Sequence, residues 1–474
     1  MAETLNVDVC VIGAGSGGLS IAAGASQMGA KTVLIERDKM GGDCLNTGCV
    51  PSKALLAAGH AAQSMRDSSR FGVNGAKPKI DFETVHSHVH GVIGAIAPND
   101  SVERFTGLGV QVIEAEGKFV GPREVEANGT RIKAKRFVVA TGSRAGVPPI
   151  EGLDKTPFLT NETIFERTAA PEHLIVIGGG PIGAEMAQAH RQLGARVTML
   201  EMFSILSNDD PELVDILRNR LRADGIDIRE GIKVVKVGRK GNGVSVTIEE
   251  DGKQSAIDGS DLLIAAGRAP NVNGLDLEKA GVEFSRKGIE TDARLRSSNK
   301  RIYAVGDVAG GPQFTHIAGY HAGIAIRNML FRLPAKVDYS AMPWVTYTAP
   351  ELAHVGLSEA KAKEAGDEIT ILRWPFAEND RAQAERETDG LIKVITSKKG
   401  RVLGASIVGP HAGELILPWV LAVGNKMKIG KMAGMIAPYP TLGEVSKRAA
   451  GSYYTPKLFS DRTRRIVRFL LKFA

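Results

Sequence analysis

Short apolar runs that end in glycine recur along the chain and predict the buried strands of parallel sheets. The first run, residues 7–12, contains only Asp8 as a charged position and leads into a glycine-rich loop. An alanine-rich segment follows, and a second apolar run, residues 32–35, ends at Glu36. Continuous apolar strands joined by a helix are typical of a βαβ unit, because its strands are buried on both faces. The pattern therefore predicts an α/β fold.

The glycines after the first strand have the spacing of a dinucleotide-binding turn. In such a turn the glycines let the chain bend tightly and let a pyrophosphate approach the helix start, while an acid after the next strand binds the ribose hydroxyls. The pattern recurs later with the same internal spacing, which predicts two dinucleotide sites in one chain. The positions are Gly13, Gly15, Gly18 and Glu36 in the first copy and Gly178, Gly180, Gly183 and Glu201 in the second.

Glu201 also predicts which nicotinamide nucleotide binds the second copy. A carboxylate at this position accepts hydrogen bonds from a ribose 2′-hydroxyl and repels a 2′-phosphate. Residues 202–204, Met-Phe-Ser, supply no arginine that would bind such a phosphate. NADH is therefore favoured over NADPH.

A pair of cysteines follows the first fingerprint. Cys44 and Cys49 have four residues between them, and Gly48 gives the backbone the freedom to bring the thiols together. We expect a bridge across about one and a third helical turns, with a helix start that favours thiolate. No second cysteine pair or Cys/His cluster completes a metal site, so we expect a redox disulfide against a flavin and no metal. Cys10 lies in the first apolar strand and is expected to be buried and inert.

Three further apolar runs also end at glycines. Residues 137–142 and 262–267 end at Gly142 and Gly267, where the lack of a side chain lets a ligand or a crossing chain approach closely. Residues 302–307 end in a Gly-Asp pair. The Asp307 carboxylate is expected to reach the ribityl chain of a flavin, with a turn-forming aspartate as the alternative.

Length and composition limit the class of protein. A chain of 474 residues is expected to form about three domains. Few cysteines, no basic-then-apolar N-terminus and no apolar stretch of about 18 residues predict a cytoplasmic protein without membrane spans. The net charge of +7 is spread along the chain without aromatic interleaving, so no nucleic-acid partner is expected.

These motifs together resemble the pyridine nucleotide-disulfide oxidoreductases, the family of dihydrolipoyl dehydrogenase, glutathione reductase and mercuric reductase. The resemblance covers nearly the whole chain and implies two Rossmann-like dinucleotide-binding domains plus a C-terminal α+β dimerisation domain. The implied boundaries are 1–150 with 273–345 for an FAD domain, 151–272 for an NAD domain and 346–474 for dimerisation. FAD and NAD are the implied cofactors. A homodimer whose partner completes each active site is also implied, with a small-molecule or protein-borne disulfide as substrate.

The resemblance also implies roles for individual residues. Cys49 is the thiol on the flavin side, and Cys44 is the interchange thiol that attacks the substrate. Lys53 and Glu185 match the family's ion pair near the flavin, where a cation stabilises negative charge on the reduced ring and the carboxylate positions the lysine. An ordinary helix-face charge is the alternative for Glu185.

The C-terminal motif departs from that of the disulfide reductases. Those enzymes have a His-Pro-Thr followed by a Glu, and the histidine exchanges protons with the interchange thiol. Here Tyr439 stands in place of the histidine, and Glu444 keeps its position. Because a tyrosine with a pKa near 10 is a poor proton shuttle at neutral pH, the motif argues against efficient turnover of dihydrolipoamide or glutathione.

Mercuric reductases and soluble transhydrogenases resemble the chain at this tyrosine. However, the vicinal cysteine pair at the C-terminus of mercuric reductases is missing, and transhydrogenases typically lose one active-site cysteine. Three classes of function stay open. The first is a flavin enzyme that passes electrons from NADH through the cysteines to a disulfide or other small electrophile. The second is a flavin-level transhydrogenase or quinone or metal reductase, and the third is a non-catalytic, membrane-docked flavoprotein subunit.

The last residues combine basic and apolar positions at helical spacing. Arg464, Arg468 and Lys472 stand four residues apart, which predicts a helix that is basic on one face and apolar on the other. Packing on its own domain or on the dimer partner is the first interpretation. Peripheral contact with an anionic membrane surface is the alternative.

Overall fold

The computed structural model of the protein describes residues 4–75, 77–366 and 368–473. Its contacts divide the chain into two compact units, each assembled from three segments. Unit 1 is Met1–Gly178, Ala189–Leu200 and Ile232–Val337, and unit 2 is Gly179–Gln188, Glu201–Gly231 and Asp338–Ala474. The division into three domains stays a prediction.

The chain alternates strands and helices through its first two thirds and then turns to a mainly antiparallel segment with short helices. The strands are β1 (Thr4–Ile12), β2 (Thr32–Glu36), β3 (Val110–Glu114), β4 (Gly117–Gly121), β5 (Glu124–Ala127), β6 (Thr130–Val139), β7 (Ser143–Ala145), β8 (His173–Ile177), β9 (Arg196–Leu200), β10 (Ile226–Arg229), β11 (Lys233–Lys240), β12 (Gly243–Glu250), β13 (Lys253–Gly259), β14 (Asp261–Ile264), β15 (Arg268–Pro270), β16 (Phe284–Ser285), β17 (Gly288–Ile289), β18 (Ile302–Ala304), β19 (Pro343–Thr346), β20 (Glu351–Gly356), β21 (Ile369–Pro375), β22 (Leu391–Ser397) and β23 (Val402–Gly409). The α-helices are α1 (Ser16–Gln27), α2 (Gly42–Asn46), α3 (Cys49–Asp67), α4 (Phe82–Ile96), α5 (Val102–Gly107), α6 (Pro181–Gln192), α7 (Pro211–Ala223), α8 (Thr315–Met329), α9 (Glu359–Glu364), α10 (Asp380–Glu385), α11 (Ala412–Leu415), α12 (Leu417–Gly424), α13 (Ile429–Ala433), α14 (Glu444–Ser452), α15 (Thr455–Leu458) and α16 (Asp461–Leu470). Within the described ranges, no helix is both long and apolar enough to cross a membrane.

A seven-stranded sheet forms the centre of unit 1. Its strand order is β3-β2-β1-β6-β5-β4, and β18 pairs with β6 off this path. β1 runs parallel to β2 and β6, with Ile12 in register with Ile35 and Val139. Both faces of β1 are buried, because Cys10 and Ile12 join one apolar cluster while Val9 and Val11 join another. The apolar run of the sequence therefore forms the two-sided buried strand that it predicts, although β1 begins at Thr4 rather than at residue 7.

The strand that precedes the second glycine fingerprint belongs to a second parallel sheet. Within unit 1, β8 pairs in parallel with β9 and with β14, and Ile177 is in register with Leu200 and Ile264. The antiparallel strands β11, β12 and β13 form a separate three-stranded sheet, and their buried side chains share an apolar cluster with those of β8 and β14. The strands of both βαβ patterns in the sequence thus lie in parallel sheets, which confirms the α/β fold.

Unit 2 contains a five-stranded antiparallel sheet, in the order β19-β20-β23-β22-β21. Its core includes the fully buried Trp419 of α12, whose Nε1 donates to Ser446 Oγ of α14 at 3.0 Å. A buried lysine on β22, Lys393, pairs at 2.8 Å with Asp210 and at 2.7 Å with Glu359. Because each charge has a partner, the sheet can keep this lysine inside without an uncompensated cation.

Candidate active site

The first glycine fingerprint forms a cradle that side chains would fill. Gly13 has φ +104°, and a Cβ on it would lie 2.5 Å from the Ala140 carbonyl oxygen. A Cβ on Gly18 would lie 1.8 Å from the Gly13 oxygen. α1 begins directly after Gly15 with no side-chain cap, so its first N–H groups are available to an anion. These residues fit the pyrophosphate of a dinucleotide.

The two acids of the fingerprints make the same pair of hydrogen bonds. Glu36 accepts from the N–H of Ala14 at 2.6 Å and of Asp38 at 2.9 Å. In unit 2, Glu201 accepts from the N–H of Gly179 at 2.7 Å and of Phe203 at 3.0 Å. A carboxylate has about four lone-pair sites, so each acid keeps capacity for ribose hydroxyls. The two copies of the fingerprint therefore share the same hydrogen-bonding geometry at their acids.

The cysteine-containing loop is bonded directly to the first fingerprint. The Gly41 N–H donates to the Ala14 carbonyl at 3.0 Å. Gly42 has φ +59°, and a Cβ on it would lie 2.7 Å from the Gly15 Cα. Only glycines allow this approach, because any side chain would collide with backbone. The contact brings the redox pair to the nucleotide loop.

The cysteines do not lie on one helix, contrary to the expected bridge across helical turns. Cys44 is in α2, which ends at Asn46, and Cys49 is the first residue of α3. Gly48 lies between them with φ −126° and ψ −110°, and a Cβ there would lie 2.9 Å from the Asp43 carbonyl oxygen. The break at Gly48 turns the chain so that the two thiols face each other. The expected helix start at the cysteine pair is observed at Cys49.

The two thiols are electrostatically unequal. A hydrogen bond from the Cys44 thiol lowers the pKa of Cys49 to about 6, helped by the Thr315 hydroxyl and the charge of Lys53, while burial acts against the shift. The same hydrogen bond, together with burial, raises the pKa of Cys44. At neutral pH Cys49 therefore holds the negative charge and Cys44 holds the proton. Cys10 is fully buried in β1, and burial raises its pKa, as expected for an inert thiol.

Three helices begin at the thiol pair. α1 begins with Ser16, whose hydroxyl hydrogen-bonds Cys44. α3 begins with Cys49 itself, and α8 begins with Thr315, whose Oγ1 lies 3.3 Å from Cys49 Sγ. The N-terminus of a helix carries partial positive charge, so these starts favour a thiolate at Cys49. No motif in the sequence points to Thr315, which follows the cysteines by more than 260 positions.

A network of charged and polar groups surrounds the cysteine loop. Asp43 accepts from Asn161 Nδ2 at 3.1 Å and pairs with Arg268 at 3.0 Å. Arg268 Nε donates to Ser143 Oγ at 2.7 Å, and Ser143 Oγ donates to Asp307 at 2.5 Å. Burial raises the pKa of Asp307 against the opposing effects of Ser143 and Arg268. Asp307 thus lies in the network that holds the loop, and its contact with a ribityl chain stays a prediction.

The glycines after β6 and β14 mark a crossing of two chain segments. The Asn271 N–H donates to the Gly142 carbonyl at 3.0 Å, and the Gly146 N–H donates to the Gly267 carbonyl at 2.8 Å. The short strands β7 and β15 pair antiparallel between these points. Of the two roles expected for Gly142 and Gly267, the structure shows the crossing chain. Gly178 behaves like Gly13, with φ +115° and a Cβ position 2.3 Å from the Ala265 oxygen.

Lys53 and Glu185 lie in different units, and their ion pair stays a prediction. Lys53 follows Cys49 by one turn of α3 and contributes to the low pKa of that thiol. Glu185, on α6, is only 5% exposed, and its carboxylate accepts from the Tyr347 N–H at 2.9 Å. Such burial is not that of an ordinary solvated helix charge. Gly180 directly precedes the same helix, and Gly183 lies in its first turn.

Tyr439 of the C-terminal motif lies beside a carboxylate. Tyr439 is 71% exposed, and its hydroxyl donates to Asp380 Oδ2 at 2.9 Å. This hydrogen bond and the charges of Asp380 and Glu444 raise the pKa of Tyr439. Glu444 begins α14, where its N–H donates to the Thr441 carbonyl at 3.3 Å. The tyrosine is therefore an even weaker proton shuttle than an isolated phenol.

Two family models match the chain in succession. The model described as pyridine nucleotide-disulphide oxidoreductase matches residues 7–322, and that family's dimerisation-domain model matches residues 342–450. The chain belongs to this family. It is accordingly a flavin disulfide oxidoreductase that uses FAD and a nicotinamide nucleotide, and it carries the family's dimerisation domain.

Named relatives agree with the family assignment. The chain is 37% identical to a mercuric reductase from Bacillus cereus over 93% of its own length and 70% of that protein. It is 36% identical to a dihydrolipoyl dehydrogenase from Bacillus subtilis over 94% of its length and 96% of that protein. The solved structure of LpdA from Mycobacterium tuberculosis matches with a TM-score of 0.86 and 28% identity, covering 94% of this chain and 99% of that one. A Cu(II) complex of the HOCl-induced flavoprotein disulfide reductase RclA from Escherichia coli matches with a TM-score of 0.84 and 27% identity, covering 93% and 99%.

The hydroxyl of Thr315 is the simplest part of the thiolate environment in this oxidoreductase to test. Thr315→Val keeps the side-chain shape but removes a hydrogen bond to the Cys49 thiolate, so the pKa of Cys49 is expected to rise by about one unit. The measurement is the pH dependence of alkylation at Cys49 in the dithiol enzyme, resolved by mass spectrometry. Thr315→Ser keeps the hydroxyl and is expected to keep the parent pKa. An unchanged pKa in Thr315→Val would remove Thr315 from the thiolate environment.

Proposed function

We propose that the protein reduces a disulfide, or another small electrophile that accepts two electrons from a dithiol, at the expense of NADH. The observation that carries the proposal is the hydrogen bond between Cys44 and Cys49, in a loop that is itself bonded to the first nucleotide fingerprint. One thiol of the pair is stabilised as thiolate and the other keeps its proton. Dithiol exchange requires one thiol in each of these two protonation states.

Each thiol has a separate role in the proposed exchange. Bound FAD supplies the step that converts a hydride from the nicotinamide into two electrons for the Cys44–Cys49 disulfide. In the resulting dithiol, Cys49 accepts the proton of Cys44, and the Cys44 sulfur attacks the substrate disulfide and releases one thiolate. After Cys49 loses that proton to the leaving thiolate, its sulfur attacks Cys44 and releases the second thiolate. The enzyme disulfide forms again, and water supplies the second proton.

Lys53 and Glu185 complete the proposed electron path on the nucleotide side. A lysine one turn after Cys49 stabilises negative charge at the thiolate and at a reduced flavin beside it. Glu185 is buried and hydrogen-bonded, so its carboxylate has a fixed position from which to orient a cation. We propose the pairing of these two side chains in the loaded enzyme.

NADH is the proposed electron donor because of the environment of Glu201. Its carboxylate is anchored by two backbone N–H groups, and the neighbouring Met202 and Phe203 are exposed and uncharged. Arg218 donates to Ser204 Oγ at 2.9 Å, but its guanidinium is paired with Glu230 at 2.8 Å. A 2′-phosphate would therefore meet an anion without an unpaired arginine at this position. A kcat/KM for NADPH equal to that for NADH would contradict this assignment.

We further propose a cytoplasmic homodimer. The dimerisation-domain match over residues 342–450 supports the dimer, and the sparse cysteines of the chain suit a reducing compartment. The family resemblance assigns Tyr439 and Glu444 to the active site of the partner chain. A sedimentation mass equal to one chain would contradict the dimer.

The cysteine pair is tested by separating flavin reduction from disulfide reduction. Cys44→Ser and Cys49→Ser are each expected to abolish NADH-dependent reduction of lipoamide and of hydroxyethyl disulfide, because exchange needs both sulfurs. Anaerobic reduction of the bound flavin by NADH is expected to persist in both variants. Disulfide reduction is measured as NADH oxidation, and flavin reduction is measured as bleaching of flavin absorbance.

The same variants distinguish the proposed path from the alternative in which electrons reach the acceptor without the cysteines. Cys10→Ser is the matched control, since that thiol is fully buried in β1 and outside the pair. Disulfide reduction that survives in Cys49→Ser would refute the proposed path. Quinone or metal-ion reduction that is equal in parent and both variants, without disulfide reduction in the parent, would instead establish the flavin-level alternative. The non-catalytic alternative is wrong, since the family consists of enzymes.

A substitution at Tyr439 tests whether proton exchange limits the turnover of dihydrolipoamide. With Tyr439→His, an imidazole that titrates near neutrality would stand where the raised tyrosine pKa now prevents proton exchange. Turnover of dihydrolipoamide is expected to rise by ~10²-fold, the usual contribution of a general base. The measurement is kcat/KM against pH, with Tyr439→Phe as the control that removes the hydroxyl without adding a base. A gain in Tyr439→Phe as large as in Tyr439→His would show that proton transfer is not what the site lacks.

The C-terminal tail supports a second proposal, peripheral binding to an anionic membrane surface. Helix α16 has no buried residue, and Ser460 caps it by accepting from the Thr463 N–H at 3.3 Å. The dimerisation model ends at residue 450, so the tail lies outside the family match. Exposed apolar side chains of the tail are Ile466, Val467, Phe469, Leu470, Leu471 and Phe473, and its cations are Arg462, Arg464, Arg465, Arg468 and Lys472.

Charge complementarity favours a lipid surface over packing on the chain itself. Every apolar side chain in this list is at least 47% exposed, so the tail does not pack on its own domain. The other half of the first interpretation, packing on the dimer partner, stays a prediction. Lys472 falls in a 3-10 turn, Leu471–Phe473, rather than on the expected third helical turn. Cations beside exposed aromatic and aliphatic groups match the headgroup and acyl layers of an anionic leaflet.

Vesicle flotation tests the tail in the full-length holoenzyme. The parent is expected to float with phosphatidylcholine vesicles that contain phosphatidylserine, less with phosphatidylcholine alone, and less at high salt. Phe469→Asp is expected to abolish flotation, while Phe331→Asp, at an exposed phenylalanine outside the tail, is expected to leave it unchanged. A parent that does not float would overturn the proposal. A change of oligomeric mass in Phe469→Asp would show that a second chain covers the tail instead.

A further inference from the structure

We propose that His86, His90 and Glu166 bind a divalent transition-metal ion, with Zn²⁺ as the representative ion. Each residue offers one ligand atom, and these atoms lie within 4.8 Å of one another. In a tetrahedral zinc site the ligand atoms stand roughly 3–3.5 Å apart, given bonds of about 2.0–2.2 Å. Small side-chain rotations would therefore bring the three donors to bonding distance. The proposal does not rest on the proposed disulfide chemistry.

The two histidines are positioned by one helix. His86 and His90 stand four residues apart on α4, so their imidazoles project from the same face. Their ring centroids are 4.1 Å apart. Val89, between them in sequence, is 2% exposed and fixes this helix against the rest of unit 1. The pair is thus held close together without a metal ion.

Glu166 comes from a second, anchored element. It ends the 3-10 helix Ile164–Glu166, in which Ile164 is 2% and Phe165 7% exposed. The His90 Nε2 lies 3.2 Å from the Phe165 carbonyl oxygen and 3.8 Å from a Glu166 carboxylate oxygen. Both oxygens face the same ring nitrogen, so an ion bound at Nε2 would replace the hydrogen bond to the Phe165 carbonyl. The carboxylate and the rings therefore share a fixed backbone frame.

The donor set selects the class of ion. Two imidazole nitrogens and one carboxylate oxygen suit Zn²⁺, Ni²⁺ or Cu²⁺, whereas Mg²⁺ and Ca²⁺ prefer oxygen ligands throughout. Three protein ligands leave room for water on the exposed side, where Glu166 is 61% exposed. A bound ion would tie α4 to the 164–166 turn and would stabilise the folded chain through linkage.

Calorimetry with Zn²⁺ tests the site in the holoenzyme. The Cys44–Cys49 pair is kept oxidised, so that thiolates do not compete for the ion. The parent is expected to bind one Zn²⁺ per chain and to show a higher thermal unfolding midpoint when Zn²⁺ is added. His90→Gln is expected to lower the affinity by at least ~10-fold and to lose the thermal shift.

The same helix supplies a matched control. His88 is exposed and lies between the two ligands in sequence, outside the cluster, so His88→Gln is expected to bind Zn²⁺ like the parent. Reduction of the flavin by NADH serves as the folding check, since it does not use these histidines. Parent-like affinity in a folded His90→Gln, or an equal loss in His88→Gln, would overturn the proposed site.

Discussion

The close approach of Gly42 to Gly15 is the constraint on which the active site depends. It joins the loop that carries the cysteines to the loop that cradles a pyrophosphate, and the hydrogen bond from Gly41 to Ala14 fixes their register. A side chain at Gly42 would meet the Gly15 Cα at 2.7 Å. Redox pair and nucleotide loop are therefore one structural element, although they are separated in sequence by a helix and a strand.

The thiol pair shows how the fold creates asymmetry from two identical side chains. Cys49 begins a helix and faces Thr315 at the beginning of another, whereas Cys44 lies inside a short helix with the proton. The groups that lower the pKa of Cys49 are a thiol, a hydroxyl and the Lys53 cation, so the negative charge settles on this sulfur. Such an arrangement explains how dithiol chemistry can proceed when the C-terminal motif offers a tyrosine whose pKa is raised. In place of the histidine of the disulfide reductases, Tyr439 is hydrogen-bonded to Asp380 and its pKa is raised, which disfavours proton exchange with a substrate.

The sequence predicted those features that local chemistry determines. The apolar runs, the glycines and the acids of both fingerprints gave the parallel strands, the nucleotide cradle and the repeated carboxylate geometry at Glu36 and Glu201. It failed at the path between the cysteines, because helical spacing took no account of the break that Gly48 imposes. It also could not find Thr315 or Arg268, since tertiary packing alone brings these residues to the cysteine loop.

The histidine cluster illustrates the same limit for metal sites. The prediction of no metal rests on the missing second cysteine pair and Cys/His cluster, and the helical spacing of His86 and His90 does not enter it. The third donor, Glu166, belongs to a distant turn, and its position depends on the buried Ile164 and Phe165. Helical periodicity can therefore reveal two ligands of such a site, whereas the coordination number depends on tertiary packing. Since the turn is anchored by apolar burial rather than by the donors themselves, loss of one ligand would remove the ion without unfolding the elements that hold it.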